Sequence, residues 1–271
     1  MRKSFFLALS LITSLANAAA AADLHATKPG SKKLNAIPLM TWTGFYAGAQ
    51  LGYALGLSQT STSPTFATGG YFAPSSVAVI ADVGNQNINP TGLTGGAHAG
   101  YNLQLGNVVY GIEGDLSYFA QKASKTTTFI YPCCTTSTFT NKSSLSTNWL
   151  GTLRPRIGYA SGASLFYVTG GLAIIDQTSS FDFSDTGAGA KANGSAKSTV
   201  YGMALGLGTE YAVNQHVLVR LEYMNVTMPT KTLTSTNLTT TTPVASYPGN
   251  VFEHKTNMTS DILRGGASYK F

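Results

Sequence analysis

DILRGGASYKF (residues 261–271) closes the chain with a two-residue alternation. Leu263, Gly265, Ala267, Tyr269 and Phe271 share one parity, and Ile262, Arg264, Gly266, Ser268 and Lys270 the other. In a strand these parities are opposite faces, one mostly apolar with aromatics at its end, the other carrying two cations among small residues. A sandwich strand in a soluble protein could alternate the same way. What the strand means therefore depends on whether further stretches of the same period precede it.

Working back from that end, seven more period-two stretches appear, at about residues 40–56, 92–105, 108–121, 144–160, 164–176, 198–212 and 217–227. Connections of two to four residues, such as Gly106-Asn107, alternate with long runs rich in Ser, Thr, Asn and Gly (59–91, 122–143, 177–197, 228–258), which read as loops. The expected fold is all-β: an eight-stranded antiparallel transmembrane barrel with short periplasmic turns and four long surface loops. Pro155 cannot donate a ladder hydrogen bond, so a bulge or local irregularity is expected there.

Composition agrees with strands rather than helices. Only 10% of the 271 residues are charged, and 29 are Gly. Residues 1–22 carry Arg2 and Lys3, an apolar run and a small-residue cleavage zone, the pattern of a cleaved secretory signal. That run is too short to span a bilayer as a helix, and no other stretch approaches the length needed. Residues 23–41 read as a periplasmic linker and 42–271 as the barrel domain. The net charge of +6 falls to about +2 once Arg2 and Lys3, and the linker's Lys28, Lys32 and Lys33 against Asp23, are set aside, so no nucleic-acid footprint remains.

Charge placement distinguishes a membrane barrel from a soluble lipocalin-like carrier. Glu113, Asp115, Arg154, Arg156, Glu210, Arg220, Glu222, Arg264 and Lys270 all lie opposite the apolar parity. Nine charges would cover the outside of eight long strands sparsely, whereas small residues and paired charges fit the narrow lumen of such a barrel. They read as a structural lumenal network of acids and bases on adjacent strands, with ion conduction as the competing reading. Trp42, Trp149, Tyr269 and Phe271 read as interface aromatics.

Several motifs also carry a family resemblance: WTGFYAGAQLGY near residue 42, WLGTLRPRIGYA from residue 149, YVTGGLA from residue 167, and the closing strand. Together these resemble the Omp25/Omp31-type outer-membrane proteins of alphaproteobacteria, within the OmpA-like small-barrel superfamily. The resemblance implies the outer membrane of a Gram-negative bacterium, a structural and surface-antigen role, contact with outer-membrane lipid and lipopolysaccharide, and a closing strand whose terminal aromatic, Phe271, is read by the barrel-insertion machinery. It also implies haemin binding in some relatives, for which His98 and His254 are the candidate ligands here. Their bland readings are a lumen filler and an exposed loop residue.

No histidine sits in a recognisable catalytic motif, so an enzyme is not expected. Cys133 and Cys134 are adjacent; they could bridge only through a strained ring, and free thiols are the other reading. No cofactor or metal is otherwise indicated. The expected role is membrane integrity and surface interaction, through loops that meet a host or environmental ligand. A small porin or haemin-binding receptor is the alternative.

Overall fold

A computed structural model describes residues Met40–Phe271. The signal segment and nearly all of the linker lie outside the described residues. Among those described, no helix is long and apolar enough to cross a membrane, which says nothing of strands. The described residues form one antiparallel sheet of twelve strands with a single helix. In chain order these are β1 (Gly44–Pro64), α1 (Pro74–Val83), β2 (Gln86–Ile88), β3 (Thr91–Leu105), β4 (Val108–Phe119), β5 (Lys122–Tyr131) and β6 (Cys134–Ser161). There follow β7 (Ser164–Asp185), β8 (Lys191–Ala212), β9 (Val217–Ser235), β10 (Thr239–Thr241), β11 (Val244–Ser246) and β12 (Phe252–Lys270).

The wall is continuous through β1, β3, β4, β6, β7, β8, β9 and β12, and β12 returns to β1 through pairs from Tyr46↔Lys270 to Pro64↔Phe252. The four remaining strands lie in stretches expected as loops. Several wall strands also run far past their expected ends: β6 has 28 residues and β7 has 22. About 9 to 11 residues suffice to cross the hydrocarbon core, so the excess stands beyond it. The reason these extensions read as loops is chemical. In runs such as Thr126, Thr127 and Thr128 both faces carry hydroxyls, and the contrast on which period-two reading depends vanishes.

The irregularity expected at Pro155 lies elsewhere. The ladder to β4 passes through Ile112↔Pro155, and the ladder to β7 resumes beyond it without a change of register. The shift occurs between Thr147 and Leu150 instead. There the Asp176 carboxylate accepts both the Asn148 and Trp149 backbone N–H groups at 2.8 and 2.9 Å. A side chain thus satisfies the two donors that a bulge frees.

Outside, Leu51, Leu93, Leu116, Leu153, Leu172 and Leu263 are each more than half exposed, with tyrosines such as Tyr118, Tyr159 and Tyr269 beside them. So large an apolar surface is incompatible with water as the surrounding medium and fits lipid. Inside, the lumen is layered rather than uniformly small and polar. An apolar layer of Trp42, Val109, Leu165 and Leu218 closes the short-turn end. A charged layer comes next, then an apolar one around Phe119, Leu150, Met224 and Ile262. At the long-connection end, Phe72 and Ile80 of the α1 region pack on Phe139, Phe183 and Phe252. Tyr71 and Tyr131 both donate to Asp185 Oδ2, at 2.5 and 3.0 Å. Burial and that carboxylate raise both phenols above their ordinary range.

Trp42 was expected at the membrane interface and is instead 0% exposed inside the barrel. It lies just before β1, so the chain turns it over the lumen end rather than outward. Trp149 is half-buried on the outer wall, while Tyr269 and Phe271 are exposed. Cys133 and Cys134 are exposed free thiols at the turn between β5 and β6.

Candidate functional site

The charged layer arises from the alternation of β4, β6, β8, β9 and β12. On β6, Leu153, Pro155 and Ile157 face out, which turns Arg154 and Arg156 inward. On β4, Ile112 and Leu116 face out and Glu113 and Asp115 inward. Four guanidinium groups, on Arg154, Arg156, Arg220 and Arg264, meet four carboxylates, on Glu113, Asp115, Glu210 and Glu222, and every one is buried.

Arg154 is the hub. Its guanidinium reaches Glu113 at 3.0 Å, Asp115 at 3.1 Å and Glu222 at 3.0 Å, and its Nε donates to Thr152 at 2.9 Å. Arg220 holds Glu113 at 2.8 Å and Glu222 at 3.0 Å; Arg264 holds Glu222 at 2.6 Å and Asp115 at 3.2 Å. Arg156 takes Glu210 at 2.6 Å and lies between the Tyr46 and Tyr167 rings, 4.6 and 5.0 Å from their centroids. Charges removed from water in this way persist when each faces an opposite charge and is well hydrogen-bonded; each guanidinium here meets at least one carboxylate, and the Arg220 Nε is the one guanidinium nitrogen left buried without a partner.

Tyr46 and Tyr167 belong to the layer as much as the charges do. Tyr46 donates to Glu113 at 2.8 Å and Tyr167 to Glu222 at 2.6 Å. Each ring lies over a glycine: a Cβ on Gly100 would meet the Tyr46 hydroxyl at 2.3 Å, and one on Gly208 the Tyr167 hydroxyl at 2.6 Å. Neither tyrosine was singled out from sequence, although an aromatic on the inward parity of a strand rich in small residues was a readable sign. Asn102, which accepts from Arg156 Nε at 2.9 Å, gave no such sign.

Lys270 stands apart from the network, because its ammonium donates to the Thr41 carbonyl at the short-turn end. His98 sits in the charged layer with Nε2 2.7 Å from Ser268 Oγ. His254 is not on an exposed loop: it lies buried on β12, Nδ1 3.0 Å from Thr62 Oγ1, with its ring against Phe181. His98 aligns with Gly48 and His254 with Thr62, fourteen residues apart on β1, or roughly 45 Å at strand rise. One haemin cannot take both. Among the described residues, no group of three or more His, Cys, Asp or Glu side chains could hold a metal ion.

Chemically, the arrangement can stop a pore. The lumen is crossed by four guanidinium groups and four carboxylates, an electroneutral set of paired charges bounded on both sides by apolar layers.

Residues 5–271 match the family model described as the outer membrane protein beta-barrel domain. The chain is 31% identical over 271 residues to the 31 kDa outer-membrane immunogenic protein of Brucella melitensis, covering 99% of this chain and 100% of that protein. It is 30% identical over 186 residues to the 22 kDa outer membrane protein of Rhizobium leguminosarum bv. viciae, covering 69% of this chain and 64% of that one. Among solved structures it is similar to the outer membrane protein OprG of Pseudomonas aeruginosa, at 12% identity and a TM-score of 0.41, with 84% and 96% of the two chains covered.

Proposed function

The chain belongs to the outer membrane protein β-barrel family, and we propose from that premise that it is a closed, non-catalytic structural barrel that presents its long connections at the cell surface. It is an outer-membrane protein of a Gram-negative bacterium. The membrane-crossing unit is the eight long strands, with the short turns in the periplasm and the long connections outside. The observation that carries the reading is the combination of an apolar outer belt with a lumen blocked by the buried Arg154, Arg220, Arg264, Glu113, Asp115 and Glu222 layer. Every carboxylate there is committed to a guanidinium, which leaves none free for acid–base chemistry.

The belt faces outer-membrane lipid and lipopolysaccharide, and Phe271 presents the terminal aromatic to the insertion machinery. The β5–β6 hairpin and the α1 region supply the surface that a host or environmental ligand meets, and the immunogenic naming of the Brucella relatives supports surface presentation.

Two measurements test this. Unboiled outer-membrane protein in SDS should run apart from the boiled sample, because a closed barrel keeps its backbone bonds internal until heated. Antibody raised against residues 122–146 should label intact cells. Labelling only after the outer membrane is permeabilised would reverse the orientation, and absence of the mobility shift would remove the barrel itself.

A further inference from the structure

Beyond the membrane-crossing part, the wall parts between β8 and β9. The ladder between β8 and β9 runs from Ala212↔Leu218 up to Met203↔Thr227 and stops. Beyond that point β8 continues to pair with β7 as far as Ser184↔Lys191, and β9 with β12 as far as Phe252↔Ser235. The two edges that should meet therefore part. They are clasped again only at the top, where Ser235 Oγ donates to the Asn193 carbonyl at 2.7 Å and Asn237 Nδ2 to Asn193 Oδ1 at 2.7 Å.

Residue exposure reports the same gap. Ala196 is opposite Ser179, and Lys231 opposite the buried Thr256; both lie on the inward parity, yet both are exposed. Behind the gap is a chamber of about 260 Å³ between the two upper apolar layers, walled by Thr60, Ser143, Gln177, Ser198 and His254, with Lys231 at its mouth. Its lining holds hydroxyls, one amide, one imidazole and one ammonium beside the apolar Phe181, Ala196 and Leu233, and no acid. Burial pulls the His254 pKa down to about 4, so at neutral pH the only charge on the wall is that of Lys231.

Neutral donors around a single cation, with no carboxylate to repel an anion, suit a small polyhydroxylated oxyanion. Along the opening the facing edges of β8 and β9 leave backbone groups without ladder partners. We propose that this chamber binds a phosphorylated sugar entering sideways between β8 and β9, with the phosphate on Lys231 and the ring hydroxyls on the Ser, Thr and Gln side chains. The same chemistry is offered by a free sugar phosphate and by the phosphorylated headgroup of an outer-leaflet glycolipid.

Calorimetric titration of the full chain in lauryldimethylamine oxide micelles, with glucose 1-phosphate and with glucose, reads the free source. Native mass spectrometry after exposure to lipid A or dephosphorylated lipid A reads the lipid source. The expected result is saturable binding of a phosphorylated probe over its unphosphorylated counterpart. Lys231→Ala should weaken it at least about tenfold while Lys231→Arg retains it, and Ser198→Trp, which fills the chamber, should abolish it. Glucose 1-phosphate binding assigns the site to a solute, and retention of lipid A alone assigns it to the headgroup. Absence of saturable binding by either probe, equal binding of the unphosphorylated probes, or an unchanged Lys231→Ala variant overturns the proposal. Lys231 lies on an exposed edge, and the heat-dependent mobility of each variant reports the barrel separately from the chamber.

Discussion

Arg154 Nη1 and Glu222 Oε1 lie 3.0 Å apart although β6 and β9 are not neighbours in the wall; β7 and β8 separate them. The pair therefore ties opposite sides of the barrel through its interior. Glu222→Ala leaves Arg154, Arg220 and Arg264 buried with too little negative charge, and should cost about 3 to 5 kcal/mol. The temperature at which the unboiled SDS band converts to the boiled one should fall clearly in this variant.

Trp42 and Trp149 should respond oppositely to the surrounding lipid. Brominated acyl chains quench only fluorophores they can approach. With Trp149→Phe the remaining Trp42 emission should be insensitive to brominated lipid, and with Trp42→Phe the remaining Trp149 emission should be quenched. Strong quenching of Trp42 would return it to the membrane interface.

Removing the Tyr167 hydroxyl takes one donor from Glu222 without disturbing the ring stacked on Arg156. Tyr167→Phe should cost about 1 to 3 kcal/mol, and Gly208→Ala, which displaces that hydroxyl, should cost a similar amount. Urea unfolding followed by tryptophan emission measures both.

His254 lies beyond the membrane-crossing part of β12 and makes stability depend on pH. Its pKa is about 4 when folded and about 6.5 when exposed, so the unfolded chain takes up the proton first. The contribution is present in full well above pH 6.5 and is lost as pH falls toward 4, the loss reaching about 2 kcal/mol by pH 5. His254→Phe should flatten the difference in conversion temperature between pH 7.5 and pH 5. An unchanged slope in that variant would remove the assignment.

The layered lumen should not conduct. Wild-type protein in planar bilayers is expected to give no steady current step. A reproducible ion-selective step would favour the porin reading over the structural one.

The lipid-facing side of the barrel could be read in the sequence because Leu153 and Ile157 alternate with Arg154 and Arg156, a contrast no loop sustains. The same contrast gathered the eight charges of the lumenal layer and set Glu113 and Asp115 beside Arg154, but not ties across the lumen such as Arg154 to Glu222, which depend on curvature that alternation does not encode. Lys270 shares the parity of Arg264 but sits too near the strand end to reach the layer. His254 was misread because its neighbours Thr256, Thr259 and Ser260 hide the strand that buries it. The parting of β8 and β9 leaves no trace in either strand's own pattern, since a missing partner changes the ladder and not the residue order.

The charged layer draws on β4, β6, β8, β9 and β12, and Arg264 sits on β12, the strand whose pairing with β1 closes the wall. Until that strand has arrived and met β1, Asp115 and Glu222 lack one of their cations. A partly assembled ring would then present unmatched ions to hydrocarbon, whereas a complete one presents none. The charges of the layer therefore balance only in the finished circle.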